Sequence, residues 1–409
     1  MSSVRRTRAV NRVASTVIPA ILLGCIGFAT YVVSKRICVD WFLNTRGQTT
    51  TAVVLLVFHF VVLAIELAAY ARLVVTILFD PGLLPRGEKY SESTKEGRQL
   101  SGTGPDGNDL EGRRYDDIEA GHSRDVDPNS PGLERFYSKD VFICENDGLP
   151  RWCSSCKNWK PDRTHHSSDI NRCVRKMDHF CPWVGGIISE TSFKFFVQFV
   201  FYNTLYCIIC LVASALCLHD QQATHHNDGV TIAIIAMAAF FGLFTFGMTT
   251  VSLQYIILNL TNVEIIRQKS MVHQLAIRVP QHTEPTPYVH IVTYPLPEPG
   301  NEGPASGPLV GHDDPLSARD QLATRKFAVV RTQLGENPWD LGPYDNWKSV
   351  MGTNILDWLL PINMSPCVYE ENNESFYRMG SLHGELRARY SLPPVGEGHR
   401  TPGFEPRGR

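Results

Sequence analysis

The chain lacks a charge excess, an internal repeat and a disulfide pattern, and each absence narrows what it can be. Its 39 Lys and Arg stand against 41 Asp and Glu, a net charge of −2. That excludes the basic surplus expected of a nucleic-acid-binding protein. Charge is also missing locally. Val13–Val33, Phe195–Leu218 and Gly229–Asn262 hold no Asp, Glu, Lys or Arg, and Thr51–Tyr70 holds only Glu66, with His59 beside it. About 20 apolar residues cross a bilayer core as a helix, so each stretch is long enough to span. A buried core helix is the alternative for any single stretch. Four such stretches alternating with very polar segments instead imply an α-helical polytopic membrane protein with soluble insertions.

Arg5, Arg6, Arg8 and Arg12 precede the first stretch. They resemble the start of a signal peptide, but the apolar part is too long for one, and the stretch reads as an uncleaved span. The loop His219–Asp228 has no Lys or Arg, whereas the amino terminus, the central segment and the start of the carboxyl tail (Arg267, Lys269, Arg278) have several. Positive charge marks the cytosolic side, which places both termini and the central segment in the cytosol. Lys35, Arg36 and Arg46 in the first loop run against this bias.

The 11 cysteines do not pair into a framework. Cys25, Cys207, Cys210 and Cys217 fall in spans, where cysteine is a small apolar filler. Cys38 and Cys367 stand alone. Cys144, Cys153, Cys156, Cys173 and Cys181 cluster in the central segment, where a reducing cytosol favours metal binding or catalysis over disulfides.

These readings divide the chain as follows. A cytosolic amino terminus (1–12) leads to spans at 13–33 and 51–79, the second including a cytosolic extension, and "FDPG" then turns the chain out of the membrane. Residues 86–135, rich in Ser, Gly, Asp, Glu and Arg, cannot bury a core and form a disordered linker. A cysteine-rich segment at 140–194 precedes spans at 195–218 and 230–258. A post-span segment at 259–273, a Pro-rich linker at 275–320, a compact element at 325–370 and a loose tail at 374–409 complete the chain.

Within "WCSSCKNWKPDRTHHSSDINRCVRKMDHFCPW", Cys153-x2-Cys156 is a zinc half-site, two thiolates on one tight turn. His165 or His166, with Cys173, would complete three sulfurs and one nitrogen; an unliganded reduced pair is the alternative. Asp178, His179 and Cys181 hold the parts of a Cys-His-Asp relay, although neighbours in sequence rarely form one, and Cys181 could instead be a further zinc ligand.

Taken together, "RWCSSCKNWKPDRTHH", "CVRKMDHFCPW" and the four spans resemble a DHHC protein S-acyltransferase (palmitoyltransferase) of a divergent fungal branch. "FDPG" after span two, "LTNVE" after span four (Thr261 and Glu264, with Asn262 for a family Thr) and "NPWDLGPYDNW" (with Asn346) extend the resemblance. It implies a small zinc-stabilised cytosolic domain between spans two and three. In this family two zinc ions are each held by three Cys and one His. The first set falls on Cys153, Cys156, His166 and Cys173. The second falls on Ser167, Ile170, Phe180 and Ile187, none of which is a ligand, so the resemblance implies one structural zinc here. Phe180 therefore replaces a metal ligand, not the base. Ile170, Phe180 and Ile187 are expected to pack where the second ion would sit. Each buried side chain contributes about 1.5–3 kcal/mol, against about 10–16 kcal/mol for a structural zinc in finger peptides. The family's Asn pair after Pro-Trp falls on Gly185 and Gly186, and its later Gly and Asn fall on Ser189 and Ser192.

The resemblance further implies transfer of palmitoyl from palmitoyl-CoA, through a Cys181 acyl-enzyme formed with His179 and Asp178, to cysteines of membrane-associated proteins. Trp183 and Phe196 are expected to touch the acyl tail, or to serve as interfacial anchors. Lys157, Lys160, Arg163 and His165 are expected to meet CoA phosphates, or to be solvated surface groups. Glu66, costly in lipid, should face a partner or cavity. Two other readings are an inactive membrane scaffold of the same family and a channel or transporter. The retained Asp178, His179 and Cys181 oppose the first, and the nearly featureless spans oppose the second.

Overall fold

The structure, a computed structural model, describes residues 2–87, 132–224, 228–267, 271–294 and 325–395. Among these, four helices are long and apolar enough to cross a membrane, at Val13–Thr45, Thr49–Phe79, Phe193–Ala223 and Gly229–Leu258. The first begins as α1 (Ser2–Tyr31) and continues with π-type winding from Val32 to Thr45. The others are α2 (Thr49–Phe79), α3 (Phe193–Ala223) and α4 (Gly229–Leu258). Most of the linker expected at 86–135 lies outside the described residues, as do 295–324 and the chain from 396.

The chain forms two compact units. The first comprises Met1–Leu84, Arg163–Arg267 and Asp340–Glu370. In it α3 packs against both α2 and α4. Several polar groups inside the bundle find one another, as a bilayer favours. Glu66, fully buried, accepts a bond from the Asn203 amide, Thr204 bonds Thr245 at 3.1 Å, and the Thr30 and Tyr206 hydroxyls lie 2.9 Å apart.

Two hairpins sit between α2 and α3 in this unit. One pairs β4 (His165–Ser167) with β5 (Arg172–Val174), and the other pairs β6 (His179–Cys181) with β7 (Gly186–Ile188). They are fastened to the chain leaving α2. Leu84 N–H donates to Cys173 O at 2.9 Å and Arg175 N–H to Gly82 O at 2.9 Å. Ser189 Oγ donates to Pro81 O at 3.1 Å, and Thr191 Oγ1 to Asp80 O at 2.6 Å. Ser189 thus gives the α2 exit a side-chain hydrogen bond. Gly186 has an equally local reason. A Cβ there would lie 2.5 Å from Ile77 Cγ2 of α2, closer than packed carbons tolerate.

Beyond α4, Asn259 adopts a left-handed conformation (φ 46°) and stops the helix. Thr261 and Glu264 then open α5 (Asn262–Arg267) reciprocally. Thr261 N–H donates to Glu264 Oε2 at 2.9 Å and Glu264 N–H to Thr261 Oγ1 at 3.3 Å, a capping-box exchange. Asn346, fully buried on α6 (Pro343–Met351), donates to Ile257 O at 2.8 Å and to Asp340 Oδ1 at 2.7 Å, and accepts from Leu341 N–H at 2.8 Å. One amide therefore ties this stretch to the end of α4. A further turn, α7, covers Ile355–Leu359.

The second unit comprises Pro85–Asp162, Gln268–Trp339 and Glu371–Arg409. It contains an antiparallel sheet in the order β1-β8-β10-β9, built from β1 (Val141–Ile143), β8 (Gln274–Val279), β9 (His290–Tyr294) and β10 (Arg325–Arg331). It also contains the hairpin β2–β3 (Arg151–Cys153, Asn158–Lys160). The core of this unit is aromatic. Tyr137 stacks on Tyr294 with centroids 3.9 Å apart, and Phe136, Phe142, Phe327 and Phe376 are buried around them. Two expectations are corrected here. The segment read as a Pro-rich linker from 275 contributes β8 and β9, and the tail read as loose from 374 contains α8 (Leu382–Arg389), with Leu382 and Leu386 in the core.

Candidate active site

The residues of interest lie on the hairpins. Asp178 immediately precedes β6, which carries His179, Phe180 and Cys181, and Pro182–Val184 then form a 3-10 turn closed by Gly185 (φ 81°). A strand makes sequence neighbours point to opposite faces, so His179 and Cys181 share one face. Both line the same cavity. His179 Nδ1–H donates to Asp178 Oδ2 at 2.6 Å. Asp178 is held in turn, because its Oδ1 accepts from Asn262 N–H at 2.8 Å. Its own N–H donates to Ile188 O at 2.9 Å. Three consecutive-in-space groups are thereby aligned on one short hairpin, with a backbone donor from α5 fixing the carboxylate.

Burial works to lower the His179 pKa. The hydrogen bonds and charges of Asp178 and Cys181 outweigh it and push the value up to about 10. An imidazole with that affinity keeps a proton taken from a neighbouring thiol. Cys181 is 6% exposed, so the resulting thiolate sits away from bulk water.

A cavity of about 190 Å³ opens beside these groups. His179, Cys181 and Trp183 form its head, and Phe196, Phe199, Val200 and Asn203 of α3 form one wall, with Phe241, Phe244, Thr245 and Met248 of α4 opposite. The walls are almost wholly apolar and lie within the bundle. Trp183 and Phe196 both line it, and the Phe196 ring meets His179 edge-on at 5.2 Å. The α3 wall follows the helical spacing i, i+3, i+4, i+7, a pattern that reading the sequence for metal and nucleophile alone passes over. The α4 wall and the Asn262 N–H had no local signal, since both depend on which segments meet in space.

The metal-ligand residues come as two pairs, one on each of two hairpins. On β2–β3, Cys156 N–H donates to Cys153 Sγ at 3.4 Å, the turn geometry that stabilises a thiolate pair. On β4–β5, His166 and Cys173 are directly paired across the strands, with Cys173 Sγ 3.9 Å from His166 Nδ1. Together they make up the one Cys3His ligand group found among the described residues. Three thiols and an imidazole suit zinc. All 11 cysteines are free of disulfides.

Phe180 stands directly across from Ile187 in the β6–β7 register, and Ile187 is buried. Ile170 lies half-buried in the β4–β5 turn, and Ser167 is buried with no hydrogen-bond partner for its hydroxyl.

The expectation for Arg163 is corrected. It is not a solvated cation waiting for phosphate. Its guanidinium is buried in a fork on Glu264, with Nη2 2.6 Å from Oε2 and Nε 2.8 Å from Oε1. It also donates to Asn259 Oδ1 at 2.9 Å and Asn259 O at 2.8 Å. Lys160 and His165 are buried as well. Lys157, half-buried with φ 54°, is the one of the four still open to water.

A family model described as DHHC palmitoyltransferase matches residues 146–269. The chain is 38% identical over 416 residues to "Palmitoyltransferase pfa5" of Aspergillus fumigatus, covering 94% of this chain and 91% of that protein. It is 36% identical to "Palmitoyltransferase pfa5" of Emericella nidulans, covering 94% and 87%, and 28% identical to "Palmitoyltransferase PFA3" of Saccharomyces cerevisiae, covering 56% and 57%.

Proposed function

We propose, from the premise that this chain belongs to the DHHC palmitoyltransferase family, that Cys181 is the residue that carries the acyl group. The protein is a multi-pass membrane protein and a protein S-acyltransferase. The observation that carries the assignment of residues is the Asp178–His179–Cys181 alignment at the head of an apolar cavity.

In the first half-reaction His179 takes the Cys181 proton. The thiolate attacks the thioester carbonyl of a long-chain acyl-CoA, the bond to the CoA sulfur breaks, and CoA leaves with the proton returned by His179. In the second, a cysteine of a membrane-associated protein gives its proton to His179 and attacks the acyl-enzyme, and Cys181 recovers the proton as the thiol. Splitting one transfer in two is covalent catalysis. Asp178 holds the tautomer that keeps the second imidazole nitrogen toward sulfur. The cavity takes the acyl tail, with Trp183 and Phe196 against it, and Lys157 is the cation for the CoA phosphates. The catalytic hairpin and both termini face the cytosol, by the positive-charge bias of the loops.

Cys153, Cys156, His166 and Cys173 would hold one zinc ion, whose chemistry would be structural rather than catalytic. Ser167, Ile170, Phe180 and Ile187 offer it no second home. Elemental analysis of purified protein is expected to give one zinc per chain, and two per chain would refute this ligand set.

The test of the acyl carrier is direct. Purified protein is incubated with alkyne-tagged palmitoyl-CoA, and the label is mapped by mass spectrometry before and after hydroxylamine. Hydroxylamine-labile label on the peptide bearing Cys181 is expected. Label confined to other cysteines, or none in folded protein, would support the scaffold reading instead.

A further inference from the structure

The stretch following α6 reads Ile-Leu-Asp-Trp-Leu-Leu-Pro-Ile from Ile355 to Ile362, with Asp357 its single charged residue. Ile355, Leu356, Leu359 and Ile362 are 61%, 53%, 47% and 56% exposed. Four large aliphatic side chains open together on one short segment form a patch that water disfavours.

The backbone of this segment is treated in an unusual way. Gln198 of α3 donates its side-chain amide to Asp357 O at 3.0 Å, Trp358 O at 3.1 Å and Leu360 O at 3.1 Å. Tyr202, one turn further along α3, donates its hydroxyl to Leu359 O at 2.7 Å. Four successive carbonyls at the end of α7 thus face side-chain donors of a membrane-spanning helix, three of them sharing the two hydrogens of the Gln198 amide. In water such carbonyls need no protein donor. In lipid each must have one, and irregular backbone is tolerated there only when it does.

Other polar groups of the segment are bonded locally. The Trp358 indole N–H donates to Gly352 O at 2.8 Å. Asp357 Oδ1 accepts from the Asn363 amide at 2.7 Å, and its other oxygen lies over Gly352. Between exposed Asn354 and Asn363, the exposed side chains are the four aliphatic ones. Phe201, between Gln198 and Tyr202 in the α3 sequence, is itself exposed, so this face continues the lipid-facing surface of α3.

We infer that residues 355–362 are an interfacial segment, docked on α3 and inserted among the acyl chains of the adjoining leaflet. The occupant of the exposed face is lipid. The segment would brace the end of α3 that leads from the catalytic hairpin, without itself touching substrate.

The test uses the full chain in nanodiscs of phosphatidylcholine, with a benzophenone amino acid placed singly at Leu356, Ile362, Phe201 or Tyr344. Tyr344 is exposed on α6 and serves as the aqueous comparison. After irradiation, lipid adducts are expected at positions 356, 362 and 201 and not at 344. In a Gln198→Leu background, adducts at 356 and 362 should fall several-fold while the adduct at 201 persists, because the carbonyls lose their donors. An adduct at 201 without one at 356 or 362 would overturn the inference, and so would cross-links from 356 and 362 to a second protein copy in place of lipid.

Discussion

Cys181→Ala should take no hydroxylamine-labile label at all, and Asp178→Asn should acylate about 10²–10⁴-fold more slowly, the range for loss of positioned acid–base catalysis. The two variants report different things. The first removes the atom that forms the bond. The second leaves Cys181, His179 and the β6–β7 pairing in place, and retains an oxygen able to accept from Asn262 N–H, which bonds Asp178 Oδ1 at 2.8 Å. What it removes is the negative charge 2.6 Å from His179 Nδ1. Against burial, which lowers it, that charge helps hold the His179 pKa near 10. Without it the imidazole is a poorer proton acceptor with a lower pKa, so the acidic limb of the rate profile should move to lower pH. Initial rates of autoacylation across pH 5–9 would check this; an unshifted profile would remove Asp178 from the relay. The same shift has a stability side. A histidine raised above its ordinary value of 6.5 contributes stability that is complete below about pH 6.5 and is lost as pH rises through about 10.

Breaking the Arg163–Glu264 pair should destabilise the first unit by about 3–5 kcal/mol, the usual result of leaving one charge of a buried pair alone. Both side chains are almost completely enclosed, at 1% and 2% exposure. Burial pushes the Glu264 carboxyl up, but the Arg163 guanidinium more than offsets it and holds the group low. A carboxyl lowered on folding stabilises above its unfolded pKa, and that contribution is lost as pH falls below it. Glu264→Ala and Arg163→Ala should each lower the thermal midpoint in detergent. The double change Arg163→Met with Glu264→Leu should cost less than the two single losses added together, since no charge is left stranded. Equal costs for the double variant and the sum would mean that the two groups act separately.

Arg163 also shows where reading from sequence stops. A cation next to a cysteine cluster and a phosphate-bearing co-substrate invite each other, and nothing local announces that its partner lies beyond the fourth span. The capping box that Thr261 and Glu264 form was visible as a motif, but not the ion pair it presents. The spans were legible because lipid demands long uncharged helices, and the candidate metal and relay residues because Cys-x2-Cys and Asp-His-x-Cys restrict what a short segment can do; the hairpins that carry them were not. Nor was the sheet of the second unit. Its strands begin at 141, 274, 290 and 325, are short, and pair only with one another. Pro280, Pro285 and Pro287 between β8 and β9 carry the signature of a linker while in fact joining two strands. In α8, Leu382 and Leu386 are an apolar pair one turn apart in an otherwise polar stretch, too small a stripe to outweigh the composition around it.

The register of β6 and β7 limits what one substitution there can do. Phe180 and Ile187 face each other across the hairpin, at two positions that the family resemblance assigns to ligands of a second ion. Returning His to position 180 would restore the familiar four-letter signature and nothing else. The imidazole would stand across from an aliphatic side chain. Each single step toward a ligand set would remove packing before four ligands were present, so no one exchange at this hairpin builds a second metal site.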